Sequence, residues 1–284
     1  MLIDLDAPPA ERVVRRRPRY EALALVVLLL APIGAEAAPP RAAELAVVAD
    51  SGGRPVTTTL LTPDALYTEH DSELRAQPLV PGGPGWTRAL LAGEPELARV
   101  GDTLIVRPGE AIAEVLFLDV STGRARWQAP WDAQVAEAAA DRVVVWEQDP
   151  ANVVPGRLRL ADLATGRPIW SRVADGGMLH VDRPGGRVVS VNYDGVASIY
   201  RLADGRPIVE NVRLTGDRVG QAPKEPPGEL KLTPASGRTL VTRFGDARTL
   251  GTVPPVDPRT CQQAGPYLGC RTAGGTVTVW RVRR

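Results

Sequence analysis

The strongest constraint on the fold is a nine-residue pattern that the chain writes twice. Residues 119–127 read DVSTGRARW and residues 162–170 read DLATGRPIW, 43 positions apart. Both follow Asp-x-x-Thr-Gly-x-x-x-Trp, and each part has a physical reason. Gly123 and Gly166 can take the positive φ of a tight hairpin or bulged turn, with Thr122 and Thr165 beside them. Asp119 and Asp162 stand where a carboxylate accepts backbone N–H groups and holds the turn closed. Trp127 and Trp170 begin the returning strand, where a large ring can fill the wedge between neighbouring sheets. A weaker copy, SIYRLADGRPIVE at 198–210, keeps a turn at Asp204-Gly205 but has Val209 in place of the indole. The first unit ends in Trp86 behind a Gly/Pro-rich stretch and reads as degenerate.

Around these turns the chain offers short apolar runs and no long amphipathic helix after residue 43. DALYTEH starts at 64, DTLIVRP at 102, DRVVVWEQ at 141, GRVVSVNY at 186, GRTLVTRF at 237 and PYLGCRT at 266. Each is rich in β-branched side chains and bounded by turn residues, which is strand composition. The starts lie 38, 39, 45, 51 and 29 residues apart. Spacings near 40 suit the four-stranded blade of a β-propeller. The expectation is an all-β domain over 45–284, a β-propeller of about six four-stranded blades. The widest spacing holds QAPKEPPGE (221–229), a Pro-rich loop. The last unit is short, and a propeller left open exposes a sheet edge. ELAVVAD (44–50) together with PVTTTLL (55–61) is therefore expected to complete the final blade.

The N-terminus differs in kind. Arg12, Arg15, Arg16, Arg17 and Arg19 precede an apolar stretch from Ala22 to Ala35. Basic residues before an apolar run keep the N-terminus in the cytoplasm and send the rest across the membrane. The expected order is a basic cytoplasmic segment (1–21), a hydrophobic helix (22–38) and a linker (39–44). The helix is either an uncleaved signal-anchor or a signal peptide cut near Ala35-Glu36-Ala37. A body outside the cytoplasm, tied to the cell membrane or secreted after cleavage, follows from either.

Cys261 and Cys270 are the two cysteines, nine apart among Gly and Pro. In an oxidising compartment they suit a local disulfide; two buried thiols are the alternative. The formal net charge of +1 gives no footprint for nucleic acid. Asp119 and Asp162 are better read as turn caps than as paired catalytic carboxylates, because each recurs at the same place in its repeat. His180 has no nucleophile motif beside it. His70 sits between Glu69 and Asp71, and neighbours on a strand point to opposite faces, which suits chelation poorly. No phosphate loop, dinucleotide fingerprint, zincin helix or calcium loop is present. Catalytic, cofactor and metal residues are therefore expected to number none.

LDVSTGRARW and ADLATGRPIW resemble the repeat of the PQQ-like, quinoprotein-type β-propellers, over roughly residues 45–284. The resemblance implies a propeller whose relatives divide into quinone-dependent dehydrogenases and non-catalytic scaffolds. The enzymes hold pyrroloquinoline quinone with calcium or a lanthanide through Glu, Asn and Asp, and several carry a disulfide between adjacent cysteines. Here the cysteines are not adjacent, and Asn152, Asn192 and Asn211 are the only asparagines. The reading is a non-enzymatic protein-binding scaffold of the cell envelope; the alternative is a quinoprotein dehydrogenase of reduced size. The expected partner is an envelope protein, a peptide or a glycan, met by loops near 78–86, 147–156 and 221–229.

Overall fold

A computed structural model describes residues 45–91, 93–109, 113–148, 156–213, 230–243 and 249–283. The basic segment, the apolar stretch and the linker expected over 1–44 lie outside these residues, as does the loop 221–229. Among the described residues every regular element is a strand except one short 3-10 turn, Pro258–Thr260. No helix among them is long and apolar enough to cross a membrane.

The strands form antiparallel sheets in which sequence neighbours pair. β1 (Leu45–Asp50) precedes the first sheet, made of β2 (Thr58–Leu61), β3 (Ala65–His70), β4 (Glu73–Pro78) and β5 (Trp86–Ala89). The second holds β6 (Glu96–Val100), β7 (Thr103–Arg107), β8 (Val115–Asp119) and β9 (Ala125–Ala129). The third holds β10 (Gln134–Ala139), β11 (Arg142–Glu147), β12 (Gly156–Asp162) and β13 (Pro168–Ala174). The fourth holds β14 (Met178–Asp182), β15 (Arg187–Val191), β16 (Val196–Arg201) and β17 (Pro207–Arg213). In the fifth, the described strands are β18 (Leu230–Ala235), β19 (Arg238–Arg243) and β20 (Thr249–Val253). The sixth joins β21 (Gln262–Ala264), β22 (Tyr267–Arg271) and β23 (Val277–Val282) to β1.

The six apolar runs seen in the sequence are the second strands β3, β7, β11, β15, β19 and β22. Several of these are buried on both faces, as in Val143–Trp146 and Thr103–Val106. Such strands read as continuous apolar runs because neither side chain face meets water. The last strands behave differently. β13 and β17 open with Pro168 and Pro207, a position where a missing N–H is tolerated.

Among the described residues apolar cores lie between consecutive sheets at every junction but that of the fourth and fifth. Tyr67 and Leu74 of the first sheet meet Leu104 and Leu118 of the second. Phe117 and Val115 of the second meet Val143 and Val145 of the third. Leu158 and Leu160 of the third meet Val188 and Tyr200 of the fourth. Val241 and Leu250 of the fifth meet Leu268 and Trp280 of the sixth. Val279 and Tyr267 of the sixth meet Leu61 and Leu66 of the first, which joins the end of the domain to its beginning. Sheets stacked in this order, with β2 lying against both β6 and β21, are what a propeller requires.

The joining of ends corrects one expectation. ELAVVAD does enter the last sheet: β1 pairs with β23, with Leu45 opposite Val282 and Asp50 opposite Thr278. PVTTTLL does not. Its residues 58–61 are the first strand of the first sheet, with Thr58 opposite Glu69. Gly52 and Gly53 turn the chain between them at φ 68° and 77°, and beyond the turn Thr57 N–H donates to the Glu69 carbonyl at 3.0 Å, which draws residues 58–61 onto β3.

Candidate functional site

In the second sheet Asp119 closes β8. Its Oδ1 accepts from the backbone N–H of Ser121 (2.9 Å) and Thr122 (3.0 Å) and from both hydroxyls (2.5 and 3.1 Å). The Gly123 N–H donates to the Asp119 carbonyl at 2.8 Å, with Gly123 at φ 67°. The third sheet repeats this. Asp162 Oδ1 accepts from the N–H (2.8 Å) and hydroxyl (2.7 Å) of Thr165, and Gly166 N–H donates to the Asp162 carbonyl at 2.8 Å. Hydrogen bonds from Ser121 and Arg126 hold the Asp119 carboxyl far below the usual carboxylate range. The Thr165 hydroxyl and N–H lower the pKa of Asp162. Each carboxylate is thus used within its own turn and is a fixed acceptor.

The fourth sheet rewrites the turn. Arg201 closes β16 where an aspartate closes β8 and β12, and Gly205 N–H donates to the Arg201 carbonyl at 2.8 Å. Asp204 stands in the threonine's place: its Oδ1 accepts from Arg206 N–H at 3.0 Å, as Thr122 Oγ1 accepts from Arg124 N–H at 3.3 Å. Arg201 and Asp204 pair at 3.3 Å, so acid and partner have exchanged positions along the turn.

The indoles join one sheet to the next. Trp127 Nε1 donates to the Leu163 carbonyl of the following sheet at 2.8 Å. Trp170 Nε1 donates to Leu202 at 2.9 Å, and Trp86 Nε1 to Val120 at 2.8 Å. Each ring lies on the turn glycine of that next sheet. A Cβ on Gly166 would stand 2.5 Å from Trp127 Cδ2, one on Gly123 2.5 Å from Trp86 Cδ2, and one on Gly205 2.7 Å from Trp170 Cδ2. Glycine is required here twice, by its positive φ and by the ring pressed against it. Trp86, read from sequence as a remnant, occupies the same place as Trp127 and Trp170.

Arginines complete the arrangement and were not singled out from the sequence. Arg88 Nη1 donates to the Gly123 carbonyl and Arg159 Nη1 to the Gly166 carbonyl, both at 2.9 Å. Arg159 also lies over the Trp127 ring, 5.5 Å from its centroid. Arg126 bridges Asp102 (2.8 Å) and Asp119 (2.6 Å). The only signal for Arg126 is its place directly before Trp127.

Among the described residues a quinone with its metal finds no matching donor set. Among the described residues no three His, Cys, Asp or Glu side chains cluster to hold a metal. Asn192 Oδ1 accepts from Asp194 and Val196 N–H groups within its own turn, and Asn211 lies on the exposed β17. His180 is exposed on β14, and His70 Nε2 meets Asp71 at 3.1 Å in a turn, while Glu69 is buried. Cys261 and Cys270 are joined in a disulfide that ties the turn before β21 to the buried strand β22. Of the loops expected to make contacts, 78–86 is described, while 149–155 and 221–229 lie outside the described residues.

A domain of small antiparallel sheets, locked in series by indole-on-glycine contacts, is a repeat protein of the propeller kind. A family model described as outer membrane protein assembly factor BamB matches residues 70–241, more than half of the sequence, and the chain belongs to this family of PQQ-like β-propeller repeat proteins. Among curated proteins none matches. Solved structures with a similar course include BamB from Moraxella catarrhalis, 15% identical over 80% of this chain and 85% of that one, with a TM-score of 0.36. A computationally designed protein, Ika8, is 16% identical over 80% of this chain and 71% of its own, with a TM-score of 0.38.

Proposed function

We propose that this chain is a non-enzymatic, six-bladed β-propeller, exported and held at the membrane by its N-terminal apolar segment, which acts as a protein-binding scaffold in the cell envelope. The observation that carries the reading is the use of every polar residue of the repeated signature. Asp119, Asp162, Thr122, Thr165 and Asp204 each close a turn, and none is left to act on a substrate. The family's description as an assembly factor points the same way, toward a body that holds other proteins. Export is supported by the arginines before residues 22–35 and by the Cys261–Cys270 disulfide, which suits an oxidising compartment. Rigid sheets presenting turns on two faces supply the surfaces on which recognition residues sit.

Cross-linking in native membranes, followed by capture of the full chain and identification of what is bound, tests the reading. Recovery of one or a few envelope proteins in stoichiometric amounts is the expected result. Reconstitution with pyrroloquinoline quinone and calcium is expected to give neither cofactor absorbance nor dye reduction. Capture of no protein, or quinone-dependent dye reduction, overturns it.

A further inference from the structure

In the first four sheets the first residue of the second strand faces the last residue of the third and forms a corner beside the turns. In the second sheet the corner is Thr103 opposite Asp119, with Asp102 and Arg126 completing an ion network. In the third it is Arg142 opposite Asp162, with Asp141 3.7 Å from Arg142. In the fourth it is Arg187 opposite Arg201, and Gly186 replaces the acid that precedes the strand. Like charges directly opposite one another on paired strands destabilise a sheet. Where a repeat breaks its own rule without a structural gain, a functional site is the usual reason.

The corner opens on a cleft between the third and fourth sheets. The cleft is open to solvent. Arg142, Arg187 and Arg201 line it above an apolar floor of Leu160, Leu202 and Ile208. Asp204 meets Arg201 and Asp141 meets Arg142, each at no closer than 3.3 Å. Asp182, opposite Arg187 in register, already accepts from Gly185 N–H at 3.0 Å. At the rim Glu137 and Arg183 pair at 2.6 Å and tie the two sheets together. Arg187 is exposed and, among the described residues, meets no carboxylate within 4 Å. A guanidinium is the donor best shaped for a carboxylate, which it grips with two parallel hydrogen bonds.

We propose that this cleft binds an extended acidic segment of a partner protein, its carboxylates on Arg187, Arg201 and Arg142 and its apolar side chains on the Leu160–Leu202–Ile208 floor. The assignment rests on the scaffold reading and names the chemistry of the partner. The Arg–Arg pair is then tolerated because the bound carboxylate completes it, as Asp119 completes the corner of the second sheet.

The test uses purified full chain and a short fluorescein-labelled peptide alternating Glu and Leu, with a Gln-for-Glu counterpart. The Glu peptide is expected to bind and to weaken as salt rises, and the Gln peptide to bind at least about tenfold more weakly. The double variant Arg201→Asp/Asp204→Thr installs the Asp162–Thr165 turn and sets an acid opposite Arg187, as Asp162 stands opposite Arg142. It should unfold at or above the wild-type temperature and lose the Glu peptide by about tenfold or more. Arg187→Gln alone keeps the question answerable if the double variant does not fold, and should weaken binding in the same direction. Equal binding of the two peptides, equal binding by wild type and variants, or full displacement by millimolar inorganic phosphate overturns the proposal. In the membrane capture, a double variant that holds the same partners as wild type sinks this site and leaves the scaffold reading standing. A wild type that captures nothing sinks the scaffold reading, while the peptide result still decides the cleft.

Discussion

At the scale of single residues, the turn glycines separate two costs that are usually confounded. Gly166 and Gly195 both have positive φ, 68° and 75°. A Cβ on Gly195 meets nothing within 4 Å, whereas one on Gly166 meets Trp127 Cδ2 at 2.5 Å. Gly195→Ala should therefore cost about 1 kcal/mol, the backbone term alone. Gly166→Ala should cost about 2–4 kcal/mol, because the ring must also move. Urea unfolding of the two variants checks this; equal costs would mean the indole yields freely. Asp119 makes a second prediction. Its carboxyl is held below the ordinary range by Ser121 and Arg126. A lowered folded value stabilises the protein above the unfolded pKa of about 3.9 and loses that contribution as pH falls through the folded value. Asp119→Asn should be less stable than wild type at pH 7, and the gap should close as pH drops below about 4. Thermal melts across that range decide it, and a gap that widens in acid would contradict the assignment.

At the scale of elements, the sixth sheet depends on a strand from the other end of the domain. β1 pairs along β23, places Ala49 in the core shared with the first sheet and sets Leu45 against Gly251 of the fifth. Removing residues 45–50 exposes the β23 edge and opens both contacts, and should lower the Tm by on the order of 10 °C. An unchanged melt would show that β1 adds nothing to closure. Much of this level was legible in the sequence. The strands buried on both faces stand out as apolar runs, and the Asp-x-x-Thr-Gly-x-x-x-Trp turns mark two hairpins by chemistry alone. What stayed hidden is pairing across sequence distance. Trp86 looked degenerate because Gly82, Gly83 and Pro84 precede it, yet its role depends on Gly123, which only the fold brings beneath its ring. Asp204-Gly205 was legible as a turn, while it is the hydrogen-bond register that puts Arg201 in the place of the signature's aspartate. The Arg187–Arg201 pair, 14 positions apart in the chain, becomes a conflict only when the strands align.

At the scale of the whole molecule, burial is distributed unevenly around the series of sheets. Apolar clusters join the fifth sheet to the sixth, the sixth to the first, and so on to the fourth. Among the described residues no such cluster joins the fourth sheet to the fifth. The strands on either side of that seam are correspondingly wet: β17 is exposed at six of its seven positions and β18 at four of its six. By contrast β7 and β11 are buried at four positions each. Local opening follows the regions with fewest buried apolar contacts. Native-state hydrogen exchange should therefore show β17 and β18 losing protection first, at a free energy well below that of global unfolding, while β7 and β11 exchange only with the whole domain. The same gradient bears on binding. The cleft between the third and fourth sheets borders the looser side but is backed by the Leu158–Leu160–Val188–Tyr200 core. A partner seated there is expected to protect β15 and β16 and to leave the exchange of β18 unaltered. Uniform protection of all six sheets on binding would instead mean that the ring responds as one rigid body.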